Sequence, residues 1–420
     1  MRRESLAEAR SRNPWRSSVE EEKLRAFRYL IVGGGLTADA ACKGIRERDA
    51  DGAIGVVADE AYPPYSRPPL TKVLWKGDDD DIIWRGTADL GVDLQLGRTI
   101  VSLDLRAREA TDDTGETYAY ERLLLATGGR PRRLPFGSDD VIYFRTLGDY
   151  RRLRALAESS ARFLVIGGGF IGSEIAAALA LNGWAVTMIF PEPGIGARIF
   201  PADLSAFVTD YYRDKGVEVL ADSSVTGIER TGSIARVSTK DGRTLEADVI
   251  LAGIGLEPRS ELAAAAGLPV GDGIVVDERG CVGGREDVFA AGDVARFPAA
   301  ALNKTIRVEH EDHAKSHGRL VGINMAGADE SYDHLPFFYS DLFDLGYEAV
   351  GELDSRHEMV TEWKEPNRKG VVYYLDGERR PCGVLLWNEF RRVDAARDLI
   401  RGHQPIELRR LSESDQGGAG

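Results

Sequence analysis

Two glycine-rich turns, each set between an apolar run and an alanine-containing stretch, constrain this chain more than any other feature. The more complete one reads FLVIGGGFIGSEIAAA from Phe163 to Ala178. A strand-turn-helix of this kind suits a dinucleotide for physical reasons. Gly167 permits the tight turn, Gly169 lets backbone approach a pyrophosphate, and Gly172 lets the helix pack against the strand, so that the helix N-terminus faces the phosphates. One such match is weak evidence. A second, LIVGGGLTADAA from Leu30, puts Gly33 and Gly35 in the first two roles and Ala38 in the third. The chain therefore reads as α/β with two Rossmann-like nucleotide-binding units.

Each turn is followed, about twenty residues on, by an apolar strand ending in acid, the distance at which a carboxylate meets ribose hydroxyls. The first strand, AIGVVADE, ends at Asp59 and Glu60, and Asp59 lies nearer the strand end. The second, AVTMIF, leads to Glu192. A carboxylate there binds a ribose diol and repels a 2′-phosphate, favouring NAD over NADP, although Arg198 a turn later offers a guanidinium that could accept a phosphate. Two further apolar strands end in small residues where backbone can meet a cofactor: one at Thr127, Gly128 and Gly129, the other at Ala291, Gly292 and Asp293. Between the first acid and the first of these lies AYPPYSRPPLTKVLWKG, dense in proline and expected to run as a stiff extended segment, with Arg67 and Lys72 as its inner cations. The acidic run Asp78 to Asp81 reads as a solvated loop tip, and Val92 to Asp113 as a β-meander.

At 420 residues there is room for two or three cores. The predicted division is a flexible arm over 1–26, a first nucleotide domain in two pieces (27–135 and 259–336), a second over 136–258, a small α+β domain over 337–405 built from aromatic and β-branched strands with a closing helix, and a flexible tail over 406–420. The net charge of −14 gives no sign of nucleic-acid binding. The N-terminal residues lack an apolar run, so neither a secretory signal nor a membrane span is expected, and a cytoplasmic monomer or homodimer is the default. The three cysteines, Cys42, Cys281 and Cys382, are far apart, which disfavours both a disulfide-stapled fold and a redox pair of neighbouring thiols. His310, His313 and His317 fall at helical spacings in RVEHEDHAKSH; with no second ligand cluster, no metal is expected. His310 beside Glu309 suits a cofactor edge, and the other two suit a helix surface or its packed face.

With these residues placed, the chain resembles the two-dinucleotide flavoproteins that include glutathione-reductase-type enzymes. It is most similar to the branch holding apoptosis-inducing factor and the NADH-dependent ferredoxin reductases of Rieske oxygenase systems. The motifs that carry this are YSRPPLTK, LLLATGG, GGGFIGSE, AGDVA, VEHEDHA, FFYSDL and GYEAVGEL. The resemblance implies FAD on the first turn, held by Gly33, Gly35, Asp59, Arg67, Lys72, Thr127 and Asp293, and NADH on the second, served by Gly167, Gly169, Glu174, Glu192 and Arg198. It also implies a Lys72–Glu174 ion pair beside the isoalloxazine, Phe170 gating the nicotinamide, Glu309 and His310 at the flavin's pyrimidine end, and Tyr339 stacking at the flavin edge. The implied chemistry is hydride transfer from NADH to flavin N5, then electron delivery to a ferredoxin-like or small-molecule acceptor. The alternative is an NADH-responsive redox sensor with slow turnover and redox-dependent oligomerisation.

Overall fold

The computed structural model describes residues 25–159 and 162–405. Most of the expected arm and all of the expected tail lie outside the described residues. The strand Arg25–Val32 starts two residues inside the stretch read as an arm, because Arg25 and Ala26 pair in parallel register with Tyr118 and Ala119.

The first nucleotide sheet runs in the order Val92–Leu96, Ile54–Ala58, Arg25–Val32, Thr117–Leu125, Glu109–Asp112, Ile100–Asp104. The strand Val288–Ala290 pairs in parallel with Leu123–Leu125, the last residues of the strand Thr117–Leu125 in the same sheet. Only part of the expected meander is antiparallel. Val92–Leu96 instead extends the parallel edge beside Ile54–Ala58, while Ile100–Asp104 and Glu109–Asp112 form the hairpin. The turn at Gly33 leads into the helix Leu36–Arg46, which lies against the helix Glu311–Met325. Their backbones approach so closely that a Cβ on Gly44 would sit 2.2 Å from the Arg319 oxygen, and one on Gly322 would sit 2.2 Å from the Ala41 oxygen.

The second sheet is parallel throughout, in the order Glu218–Leu220, Ala185–Ile189, Arg162–Ile166, Val249–Ala252, Val141–Tyr143. An antiparallel three-stranded sheet, Val225–Thr231, Ile234–Thr239 and Thr244–Ala247, packs over it. Two short strands, Gly129–Pro131 and Leu256–Pro258, pair where the chain leaves the first unit and returns to it. The return includes a small sheet with strands Val270–Gly271, Gly273–Val275, Ala295–Ala299 and Lys304–Arg307, too short and too rich in Gly and Pro to stand out in the sequence. The C-terminal unit is a five-stranded antiparallel sheet ordered Phe337–Leu342, Leu345–Gly351, Pro381–Trp387, Lys369–Leu375, Glu358–Glu365, closed by the helix Val393–Arg401.

The proline-rich segment departs from its expected extended path. Pro68–Thr71 and Val73–Lys76 form successive 3-10 turns with Lys72 between them at φ −125°. Proline's fixed φ suits the first turn of a helix as well as an extended chain, and the two prolines stand at the start of the first turn. In Gly322→Ala the added methyl must push the two packed helices apart. The expected cost is about 1–3 kcal/mol, typical of overpacking, read as a lower denaturant midpoint with unchanged slope.

Candidate functional site

A single cleft of 1720 Å³ runs past both glycine turns, with the C-terminal sheet closing one side. At the start of each turn the backbone adopts the same conformation: Gly33 and Gly167 both have φ +116°, where a Cβ would strike the carbonyl of Ala126 or Gly253. Gly35 and Gly169 are extended N-cap residues with no capping side chain, and a Cβ on either would meet nothing within 4 Å. Each helix therefore presents uncapped N–H groups to open space on the cleft wall, a cradle that fits a pyrophosphate.

Three of the expected residues lie behind this wall, and two of them, Ala38 and Gly172, stand in the close-packing role expected of the third turn position. Ala38, Gly172 and Gly292 do not line the cleft. A Cβ on Gly172 would sit 2.1 Å from the Gly167 oxygen, and Ala38 is fully buried. Gly292, at φ +73°, donates its N–H to His317 Nδ1 at 3.4 Å. These residues shape the turns that carry their neighbours.

The acids beyond the turns are both on the cleft and both paired. Asp59 meets Arg259 at 2.5 Å, and Thr127 Oγ1 donates to the Arg259 carbonyl at 2.7 Å. Glu60 is engaged by Tyr65 and Arg67, each at 2.6 Å. Arg67 also donates to the Arg145 carbonyl at 2.9 Å, and the Arg145 guanidinium pairs with Asp293 at 2.7 Å. Arg145 and Arg259 line the cleft although no motif marks them. Glu192 and Arg198 pair with each other at 2.5 Å, so the guanidinium that could have accepted a phosphate is bound to the acid that rejects one.

The part of the cleft beside the C-terminal sheet is built from four separate stretches of chain. The Lys72 ammonium pairs with Glu174, and both side chains are nearly buried. Thr71 Oγ1 donates to the other Glu174 oxygen at 2.6 Å, and Ser340 Oγ donates to the lysine-bound one at 2.7 Å. Lys72 Nζ also stands 5.2 Å from the Tyr339 ring centroid. His310 is the N-cap of the helix Glu311–Met325 instead of a residue within it, and its ring stacks on Phe338 with centroids 4.2 Å apart and planes 12° from parallel. Phe170 meets both rings edge-on. Phe338 thus packs against His310, and Tyr339, expected to stack at the flavin edge, points to the other face of its strand and lines the cleft beside the Lys72 ammonium. Glu309 accepts from Arg307 at 2.6 Å.

Burial holds the histidines neutral. It pulls His310 from 6.5 down to about 4 against the pull of Asp293, His313 to about 3, and His317 well below its ordinary value. His313 and His317 are fully buried, of the two environments expected for them the packed one, with His313 stacked on Phe297 at 4.6 Å. The three cysteines are free and buried, none lines the cleft, and burial pushes their thiols up to about 12, about 11 and about 12 in chain order. Among the described residues, Glu352, His357 and Cys382 bring ligand atoms within 4.8 Å of one another, but the Lys304 ammonium already neutralises Glu352 there. No described helix is long and apolar enough to cross a membrane.

Residues 27–318 match the pyridine nucleotide-disulphide oxidoreductase family. The chain belongs to that family. This oxidoreductase also matches, over residues 321–368, the C-terminal region of mitochondrion-associated apoptosis-inducing factor. It is 33% identical to apoptosis-inducing factor 1 of Dictyostelium discoideum, over 92% of this chain and 81% of that protein. It is also 33% identical to monodehydroascorbate reductase 3 of Arabidopsis thaliana, over 88% of this chain and 90% of that enzyme. Putidaredoxin reductase, solved in covalent complex with putidaredoxin, superposes with a TM-score of 0.85 at 29% identity, covering 93% of this chain and 97% of that one. The oxidoreductase uses FAD and a nicotinamide dinucleotide, and the paired cradles at Gly35 and Gly169 fit two such groups.

The depressed histidines tie stability to pH. Unfolding lets them protonate near 6.5, so the stability they contribute is full above that value. For His310 it is lost as pH falls from about 6.5 to about 4, and for His313 the loss continues to about 3. Melting temperature should be flat between pH 7 and 8 and fall steadily below about pH 6.5, and His310→Phe should flatten the upper part of that fall.

Proposed function

We propose that this chain is an FAD-dependent NADH oxidoreductase that delivers electrons to a ferredoxin-like protein or a small-molecule acceptor. FAD occupies the unit formed by 27–135 and 259–336, and NADH the unit formed by 136–258. The observation that carries this reading is the buried Lys72–Glu174 pair set where the two glycine turns and the C-terminal sheet converge. Bound FAD supplies the two-electron step, taking a hydride from the nicotinamide and passing the electrons on.

The chain's own residues do the positioning. Gly33, Gly35, Asp59, Arg67, Thr127 and Asp293 hold FAD, and Gly167, Gly169 and Glu192 hold NADH. The Lys72 ammonium compensates negative charge that develops on the ring system during reduction, and the Glu174 carboxylate holds it in place. Neutral His310, set between Phe338 and Phe170, offers a flat wall and excludes water without adding a second positive charge. Phe170, first residue of the helix Phe170–Leu181 that follows the second glycine turn, covers the passage between the turns. The preference for NADH is supported by Glu192, whose partner Arg198 is already engaged.

The acceptor assignment draws on relatives named as a monodehydroascorbate reductase and as a reductase coupled to putidaredoxin. A second reading, an NADH-responsive sensor with slow turnover, is favoured by the match of residues 321–368 to the C-terminal region of apoptosis-inducing factor. Steady-state NADH oxidation with a ferredoxin plus cytochrome c, ferricyanide or a quinone separates them when paired with sizing of the protein with and without NADH. Fast acceptor-dependent turnover supports the reductase; slow turnover with an NADH-dependent change in size supports the sensor.

Lys72→Ala should retain FAD yet slow anaerobic flavin reduction by NADH about 10²-fold in stopped flow, the scale for losing one preorganised electrostatic group. Wild-type reduction kinetics would remove Lys72 from the mechanism. Glu192→Gln frees Arg198 and should raise the NADPH-to-NADH ratio of kcat/KM about tenfold or more; an unchanged ratio would show that selectivity lies elsewhere.

A further inference from the structure

The Glu174 carboxylate accepts from donors in different parts of the chain. Thr71 and Lys72 lie in the proline-rich segment of the first nucleotide unit, Glu174 lies on the helix of the second, and Ser340 lies on the strand Phe337–Leu342 of the C-terminal sheet. Strand alternation turns Ser340 to the same side as Phe338 and Leu342, and the residue is 1% exposed. A hydroxyl on that apolar face needs partners: it donates to the Glu174 oxygen that also accepts from Lys72, and it shares a hydrogen bond with the Tyr347 hydroxyl on the neighbouring strand. The residues matching the oxidoreductase family stop at 318, so this hydroxyl belongs to the separately matched C-terminal region.

We propose that Ser340 is a positioning residue for the redox step, through which the C-terminal unit sets how much of the Lys72 charge is available to the flavin. A carboxylate oxygen has room for two good donors. With Ser340 in one place, Lys72 takes the other and its remaining protons stay free to face the cleft and the Tyr339 ring. Remove the hydroxyl and the negative charge of that desolvated oxygen, no longer shared with Ser340, bears on the ammonium alone, which is then more completely neutralised by Glu174. Thr71 meanwhile holds the second oxygen, so the carboxylate cannot simply rotate to compensate. The inference rests on the role proposed above for Lys72 and adds the group that regulates it.

In Ser340→Ala holoenzyme the limiting rate of anaerobic flavin reduction by NADH should fall roughly three- to tenfold, the worth of about one hydrogen bond. The flavin midpoint potential should move to a more negative value, while FAD content stays full and the apparent Kd for NADH stays within about twofold. Ser340→Thr keeps the hydroxyl on a residue that strands tolerate well and should return both rate and potential to wild type. Should the alanine variant purify without FAD, Ser340→Cys, a weak donor of similar volume, is read in its place and should show the same losses with flavin bound. Wild-type rate and potential in the alanine variant, or in the cysteine variant read in its place, overturn the proposal, as does a slower rate at an unchanged potential. Lys72→Ala separates the two levels: if it too reduces at the wild-type rate, the underlying mechanism fails, whereas a slow Lys72→Ala beside normal Ser340 variants overturns only the role of Ser340.

Discussion

An ammonium and a carboxylate taken out of water together form the constraint on which the rest of this structure depends. Desolvating Lys72 and Glu174 costs several kcal/mol per ion and is offset only by good geometry and by further hydrogen bonds to the remaining lone pairs. Those bonds come from Thr71 and Ser340, so the pair is satisfied only when the proline-rich segment, the second glycine-turn helix and the C-terminal sheet are all docked. Aromatic packing seals the same junction: Phe170, Phe338, Tyr347 and His310 fill the space around it. Assembly of the units and assembly of the redox centre are therefore one event.

The cleft on either side of the pair is made by backbone more than by side chains. Both turns begin at the same positive φ, and both expose uncapped helix N-termini where a bulkier residue would close the cradle. Charged residues then hold the ends: Asp59 with Arg259, Asp293 with Arg145, Glu192 with Arg198. No cysteine reaches the cleft, and burial keeps all three thiols protonated. The chain thus offers no thiol relay along the cleft.

What the sequence reveals and what it hides divide along a physical line. The glycine turns, Asp59 and Glu192 are legible because a dinucleotide demands residue types at fixed short spacings. The Lys72–Glu174 pair, more than a hundred residues apart, comes from resemblance to a family and not from spacing. Arg145 and Arg259 are invisible, and Ser340, though it sits within FFYSDL, carries no sign of its role, since each acts on a partner far away in sequence through packing that no local pattern encodes. Gly44 and Gly322 look like ordinary helix interruptions until the facing helix is seen. The proline-rich segment reads as extended and is not, because proline's φ serves an extended chain and a 3-10 turn equally. At FFYSDL strand alternation separates two aromatics: Phe338 packs on His310, while Tyr339, the residue expected at the flavin edge, lines the cleft beside the lysine.

The central claim is that Lys72 and Glu174 act on hydride transfer as a single unit. A double-mutant cycle with Lys72→Met, Glu174→Gln and the combined variant, reading the limiting rate of anaerobic flavin reduction by NADH, tests it most directly. If the pair is one unit, the double variant should be no slower than the slower single variant, within about threefold. Losses that multiply, giving a double variant as slow as the product of the two single effects, would show two independent residues and contradict the account.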